Sequence, residues 1–164
     1  DGEVGYCTRQ HYFHNWAEAA LSQGLLEANE VFPGQKSRIL SLNFMSNHRD
    51  LYAPLQSDEL FSCIRDSESR VAQQYIPVAM VETALPSLQS GDLFAIATSA
   101  EGLDVSHTGV VMRDGSRVDA IHAAPEKGVI RSKSLSRYLR SVPDGIGLVV
   151  VRPVTEMSFS RKIR

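Results

Sequence analysis

The sequence predicts an α+β domain, with helices in its first half packed on an antiparallel sheet in its second. Three observations predict it. Helical spacing dominates up to about residue 85. Four strand-like runs crowd residues 91–153. Two of those runs meet at Asp114-Gly115, a strong hairpin signal.

The elements follow in order. In residues 9–28, Tyr12, Trp16, Ala19 and Ala20 recur at helical spacing, and Gly24 is a stop signal. Pro33-Gly34 marks a turn. RILSLNFM (38–45) alternates as a strand does. Ser57-Asp58-Glu59 opens a helix, with a capping hydroxyl and two carboxylates at the positive end of the dipole. That helix is expected to run to Gln74, ahead of Pro77, with a short helix at 78–85 closed by Pro86. GDLFAIAT (91–98), SHTGVVMR (106–113), RVDAIHAA (117–124) and GLVVVRP (147–153) read as strands, interrupted by a helix at 134–141.

Composition narrows the function classes. With 164 residues, 43% hydrophobic and 22% charged, the chain fits one globular domain, taken as residues 1–164. A net charge of −2 and a pI near 6.2 argue against nucleic acid as a partner. No apolar run approaches the roughly 20 residues of a membrane span. The chain opens at Asp1-Gly2, with neither a Met nor a secretory signal, so its N-terminus is expected to have been processed or left out. Its two cysteines, Cys7 and Cys63, are too few for a disulfide framework, and one bridge between them stays open. No CxxC pair suggests a thiolate zinc site. There are no internal repeats.

The hairpin carries the chemistry. With Asp114 and Gly115 as the two loop residues, Arg113 faces Ser116, Val111 faces Val118 and His107 faces His122. Two imidazoles then oppose one another with Cβ atoms roughly 5 Å apart. Small neighbours, Gly109 and Ala123, leave room for a ligand. A metal could use the pair with Asp104 or Asp119, although the spacing matches no tight zinc motif. Alternatively, one His activates a cysteine nucleophile and the other orients it. Either imidazole could also be an ordinary half-buried residue bonded to backbone. Strand alternation puts Asp119 on the face away from His122.

GLDVSHTG (102–109) with IHAA (121–124) resembles the NlpC-type papain-like cell-wall hydrolases, most closely the N-acetylmuramoyl-L-alanine amidase-like branch. RQHYFHNW (9–16), LSLNFMSNH (40–48), YIP (75–77), GDLFAI (91–96) and VVVRP (149–153) resemble that branch in the same order. The resemblance spans nearly the whole chain. It implies a papain-like fold and a catalytic cysteine, with His107 matching the base and His122 the orienting residue. A thiolate would attack the amide carbonyl, and the imidazolium would protonate the leaving amine.

One block departs from the pattern. The family nucleophile lies in a block like Asp-Cys-Thr-Thr-Phe-Val-Glu, upstream of HYF, and no such block occurs here. Cys63 has the right order relative to the histidines but falls about six residues into a helix, away from its positive end. Cys7 lies near Arg9 and His11 in a loop. An inert thiol or half of a disulfide is the plainer role for each. The resemblance therefore implies the C-terminal portion of an amidase-like catalytic domain, carrying the base side of the site. A second chain or segment would supply the nucleophile, and an apolar groove is expected where it packs.

Candidates for holding substrate complete the reading. Arg9, Tyr12 and Trp16, at i, i+3 and i+7, share a helix face, with Arg9 suited to a stem-peptide carboxylate. Asn43 is polar within an apolar run. Asp104 and Ser106 lead into His107. The expected function is a cysteine amidase acting on peptidoglycan at the N-acetylmuramoyl–L-alanine bond or a nearby stem-peptide bond. It needs no cofactor and works in the periplasm or outside the cell. Its rivals are a non-catalytic muropeptide-binding domain and a zinc hydrolase built on His107, His122 and Asp104.

Overall fold

The computed structural model describes residues 5–27 and 31–155. Helix α1 (Phe13–Ser22) precedes β1 (Lys36–Ser41), α2 (Phe44–Asn47), α3 (Asp58–Ser67), β2 (Arg70–Pro77) and α4 (Val81–Ala84). Then come β3 (Leu93–Thr98), β4 (Val105–Asp114), β5 (Arg117–Ala124), β6 (Gly128–Ser132), α5 (Leu135–Ser141) and β7 (Gly145–Val151). The α+β class holds. Seven strands form one sheet in the order β1-β2-β7-β3-β4-β5-β6, with every pairing antiparallel. Among the described residues, no helix is long and apolar enough to cross a membrane.

One face of the sheet carries Phe94, Ile96, Val111, Val118, Ala120, Leu148 and Val150 into the main core, closed by Leu135 and Leu139 of α5 and by Val81 and Ala84 of α4. Helix α1 lies against the other face, its Phe13, Ala17 and Leu21 beside Val149 and Val151. A second core gathers Tyr12, Leu42, Met45, Leu55, Ile64 and Val71 around α2 and α3. A Cys7–Cys63 disulfide, Cα atoms 5.9 Å apart, fastens the N-terminal loop to α3. Both cysteines are thereby taken out of thiol chemistry.

Several boundaries differ from expectation, each for a local reason. The first helix runs Phe13–Ser22, not 9–28: it stops just ahead of Gly24, the stop the sequence signals, and residue 28 itself lies outside the described residues. The strand expected through residue 45 stops at Ser41, because Gly102 O accepts from both Asn43 N–H and Phe44 N–H and turns the chain into α2. Ser57 caps α3 as expected, accepting from Leu60 N–H, but the helix ends at Ser67. Residues 70–77 form β2 instead, burying Val71, Gln73 and Ile76 while their neighbours face out. Strand β6 was not foreseen.

The hairpin turns at Gly115-Ser116, not Asp114-Gly115. Asp114 pairs with Arg117, and Val111 with Ala120. Gly115 alone supplies the positive φ, +60°, as the first position of a II′-type turn requires. Asp114 stays in the strand and accepts from Arg117 Nη2 at 2.7 Å. The register therefore moves by two residues. A shift of one would have flipped His122 to the far face; a shift of two keeps both histidines on the same side.

Candidate active site

His107 and His122 meet diagonally rather than squarely. His107 Nε2 lies 2.9 Å from His122 Nδ1, and the rings are nearly perpendicular, with centroids 4.9 Å apart. Two features of β4 bring this about. Its pairing with β3 slips between Ile96 and Ala97: Ile96 faces His107, but Ala97 faces Val105, leaving Ser106 as the extra residue of a bulge. Gly109, opposite Phe94, has no Cβ because one would stand 2.6 Å from the Phe94 ring. That ring fills the space beside the histidines.

His122 is held on two further sides. Its Nε2 lies 2.9 Å from Ser132 Oγ at the end of β6. The Tyr138 ring stacks on it at 4.2 Å, with the hydroxyl 3.3 Å from Nδ1. Burial raises the Tyr138 phenol, so it stays protonated. One set of tautomers that fits these distances has His107 Nε2–H donating to His122 Nδ1 and His122 Nε2–H donating to Ser132 Oγ, which leaves His107 Nδ1 bare. Burial, and then the neighbouring His122, lower the His107 pKa below its ordinary 6.5, so the ring is neutral and able to take a proton near pH 7.

That direction is directly measurable. Imidazole NMR on this chain should place the His107 midpoint below 6.5; a midpoint at or above that value would overturn the assignment. The sign also fixes a stability effect. As pH falls from 6.5, the unfolded chain takes up this proton before the folded one does, so the fold loses stability down to the folded-state pKa and no further.

The six candidates for substrate contact scatter. Tyr12 precedes α1, so the supposed face of Arg9, Tyr12 and Trp16 does not exist as one helical stripe. Its side chain is buried; the hydroxyl donates to Glu68 Oε1 at 2.8 Å and accepts from Met45 N–H at 3.0 Å. Substitution Tyr12→Phe takes the partner from Met45 N–H, while Glu68 Oε1 keeps the Ser46 N–H at 3.1 Å, and should cost about 1–3 kcal/mol in denaturant unfolding. Asp104 is buried too. Its Oδ2 accepts from His14 N–H at 2.7 Å and its Oδ1 from Val105 N–H at 2.9 Å, capping the first turn of α1. Neither group is free to touch substrate.

Arg9 and Ser106 are exposed. Trp16, 38% exposed, borders an apolar groove of about 440 Å³ with Phe13, Leu93, Thr108 and Val110. This groove lies on the sheet face opposite the histidines, since Thr108 and Val110 alternate with His107 and Gly109. Asn43 lines a separate polar cleft with Arg38, Ser41 and Glu101. Its Oδ1 is buried and has no hydrogen-bond partner among the described residues.

Sequence reasoning missed Ser132, Tyr138 and Arg38. Arg38 donates to Gln73 Oε1, Thr98 O and Asp104 O, bracing the loop that enters β4. The alternation of VIRS after Gly128 was the available signal for Ser132. Nothing in the sequence points Tyr138 at His122. Among the described residues, no three His, Cys, Asp or Glu side chains converge as a metal-ligand set, and Asp104 is committed to α1. The zinc reading loses its third ligand.

Fold and paired histidines together mark an amidase-like hydrolase. The family model for N-acetylmuramoyl-L-alanine amidase-like proteins matches residues 1–147, and the chain belongs to that family. An N-acetylmuramoyl-L-alanine amidase from Bacteroides uniformis superposes with a TM-score of 0.82 at 30% identity, over 92% of this chain and 67% of that one. A candidate xylanase from Bacteroides fragilis superposes with a TM-score of 0.80 at 33% identity, over 92% of this chain and 69% of its own. A Legionella pneumophila protein at 18% identity shares the fold, with a TM-score of 0.69 over 93% of this chain and 64% of that one. No curated relative matches the chain.

Proposed function

We propose that this chain carries the base side of a papain-like cysteine amidase that cleaves peptidoglycan at the N-acetylmuramoyl–L-alanine bond or a neighbouring stem-peptide bond. The observation that carries the reading is the relay from His107 Nε2 to His122 Nδ1 and from His122 Nε2 to Ser132 Oγ. It leaves one imidazole nitrogen, His107 Nδ1, free for proton transfer and fixes its tautomer. The name of the Bacteroides uniformis relative supports the bond. The disulfide supports a periplasmic or secreted location.

The thiol comes from outside these 164 residues, since both of their cysteines are bridged. His107 Nδ1 takes the proton of that thiol, and the thiolate attacks the carbonyl carbon, forming a C–S bond. The C–N bond breaks, and the proton on His107 Nδ1 passes to the departing amine. Water then attacks the thioester, giving a proton to His107 Nδ1; the C–S bond breaks, the acid leaves, and His107 returns that proton to the thiolate. His122 keeps the ring of His107 oriented throughout.

The test is muropeptide digestion followed by mass spectrometry of the products. The complete gene product should cleave and should be silenced by a thiol alkylator. The 164-residue chain alone, in its oxidised form, should not. Cleavage by the oxidised chain alone would overturn the thiol mechanism. A complete gene product that binds muropeptide without cleaving it would establish the binding-domain reading instead.

A further inference from the structure

A fully buried carboxylate sits behind the histidine pair on the reverse face of β5. Asp119 Oδ1 accepts from Ser134 N–H at 3.0 Å. Asp119 Oδ2 accepts from Arg131 Nε at 2.7 Å and Arg131 Nη2 at 2.6 Å. Arg117 Nε reaches both oxygens, at 3.1 and 3.2 Å. Burial raises the Asp119 pKa; the Ser134 amide, Arg131 and Arg117 outweigh it, and the net direction is down. The group is ionised in the folded protein. A core strand does not need a buried charge, and apolar residues would fill the position with less desolvation.

What the charge holds is informative. Arg131 immediately precedes Ser132, the hydrogen-bond partner of His122 Nε2. Ser134 takes a φ of +66°, a left-handed conformation that a serine adopts only when its surroundings impose it. From there its Oγ accepts from Arg137 N–H and caps α5, the helix whose Tyr138 stacks on His122. One carboxylate thus fixes both β6 and the start of α5. These are the two elements that grip His122.

We propose that Asp119 is a positioning residue for the paired histidines: by clamping Arg131 and Ser134 it keeps Ser132 and Tyr138 against His122, and so keeps His107 Nδ1 free. It rests on the base role given to His107 above. It extends that role to a side chain on the far side of the sheet.

Nitrogen-edited imidazole NMR on the wild-type chain and on Asp119→Asn tests it without substrate. In the wild type, His122 should show protonated Nε2 and bare Nδ1. In the variant, with the fold retained by its amide spectrum, the His122 signals should move toward a mixture of tautomers. The His107 midpoint should rise toward 6.5 as the two rings part. In the complete enzyme, kcat should fall roughly 10- to 100-fold, with KM unchanged.

A folded variant with unchanged imidazole signals would overturn the proposal. Should Asp119→Asn fail to fold, Arg131→Gln removes one partner from the exposed side and is read the same way. Failure of the wild-type enzyme to cleave muropeptide would overturn the amidase reading while leaving the NMR result intact, so the two failures are distinguishable.

Discussion

His107→Ala should abolish turnover. General base and acid catalysis by a positioned imidazole contributes roughly 10²–10⁴-fold, and in the proposed mechanism the same ring also activates the nucleophile, so a loss at or beyond the upper end is expected in kcat/KM. The side chain is only half-buried, and among the described residues its hydrogen bond is to another side chain. The variant should therefore melt close to wild type. His122→Ala should lose less, since the role proposed for His122 is to orient the ring rather than to transfer a proton. Steady-state kinetics on the complete enzyme check both. A His107→Ala enzyme within tenfold of wild type would remove His107 from the mechanism.

Breaking the Cys7–Cys63 bridge should have the largest effect on stability. The cysteines are 56 residues apart in sequence, and closing a loop of that length in the unfolded chain is worth about 4 kcal/mol in the chain-entropy account. The double substitution Cys7→Ser, Cys63→Ser should lower Tm by roughly 10 °C for a chain of this size. Reductant should do the same to the wild type. Neither treatment should create amidase activity, because Cys63 packs against the second core around α2 and α3 and Cys7 is bridged to it, whereas the histidines lie on the main sheet. Activity that appears on reduction would make one of them the nucleophile.

The second half of the fold was more legible than the first because its strands carry simple alternation bounded by turns. The face shared by His107 and His122 could be read because alternation survives a two-residue error in register. The turn itself could not: Asp114-Gly115 and Gly115-Ser116 are both acceptable loops, and only the Asp114–Arg117 pairing decides between them. Residues 70–77 misled because Arg70, Ala72, Gln73 and Gln74 suit a helix, whereas pairing with β1 and β7 imposes a strand.

The histidines of the site were visible because both lie on one local hairpin. Ser132 and Tyr138 were not, because their contact with His122 depends on how β6 and α5 fold back. Tyr12 and Asp104 were misplaced for a related reason. A polar residue beside a motif looks the same in sequence whether it faces substrate or closes a distant helix end. Asp104 reaches His14 across 90 residues, a contact no local pattern encodes.

That last contact bears on the order in which the molecule assembles at the ribosome. Helix α1 has ten residues, no side-chain cap of its own and no acidic residue in its first turn. A helix of that length is marginal in water by itself. Its stabilising carboxylate is synthesised 90 residues later, a delay of roughly 5–20 s at common translation rates. Over that interval a nascent α1 is expected to fray, because nothing yet synthesised caps its first turn. Once Asp104 is made, its contact with His14 N–H joins α1 to the entrance of the strand that bears His107.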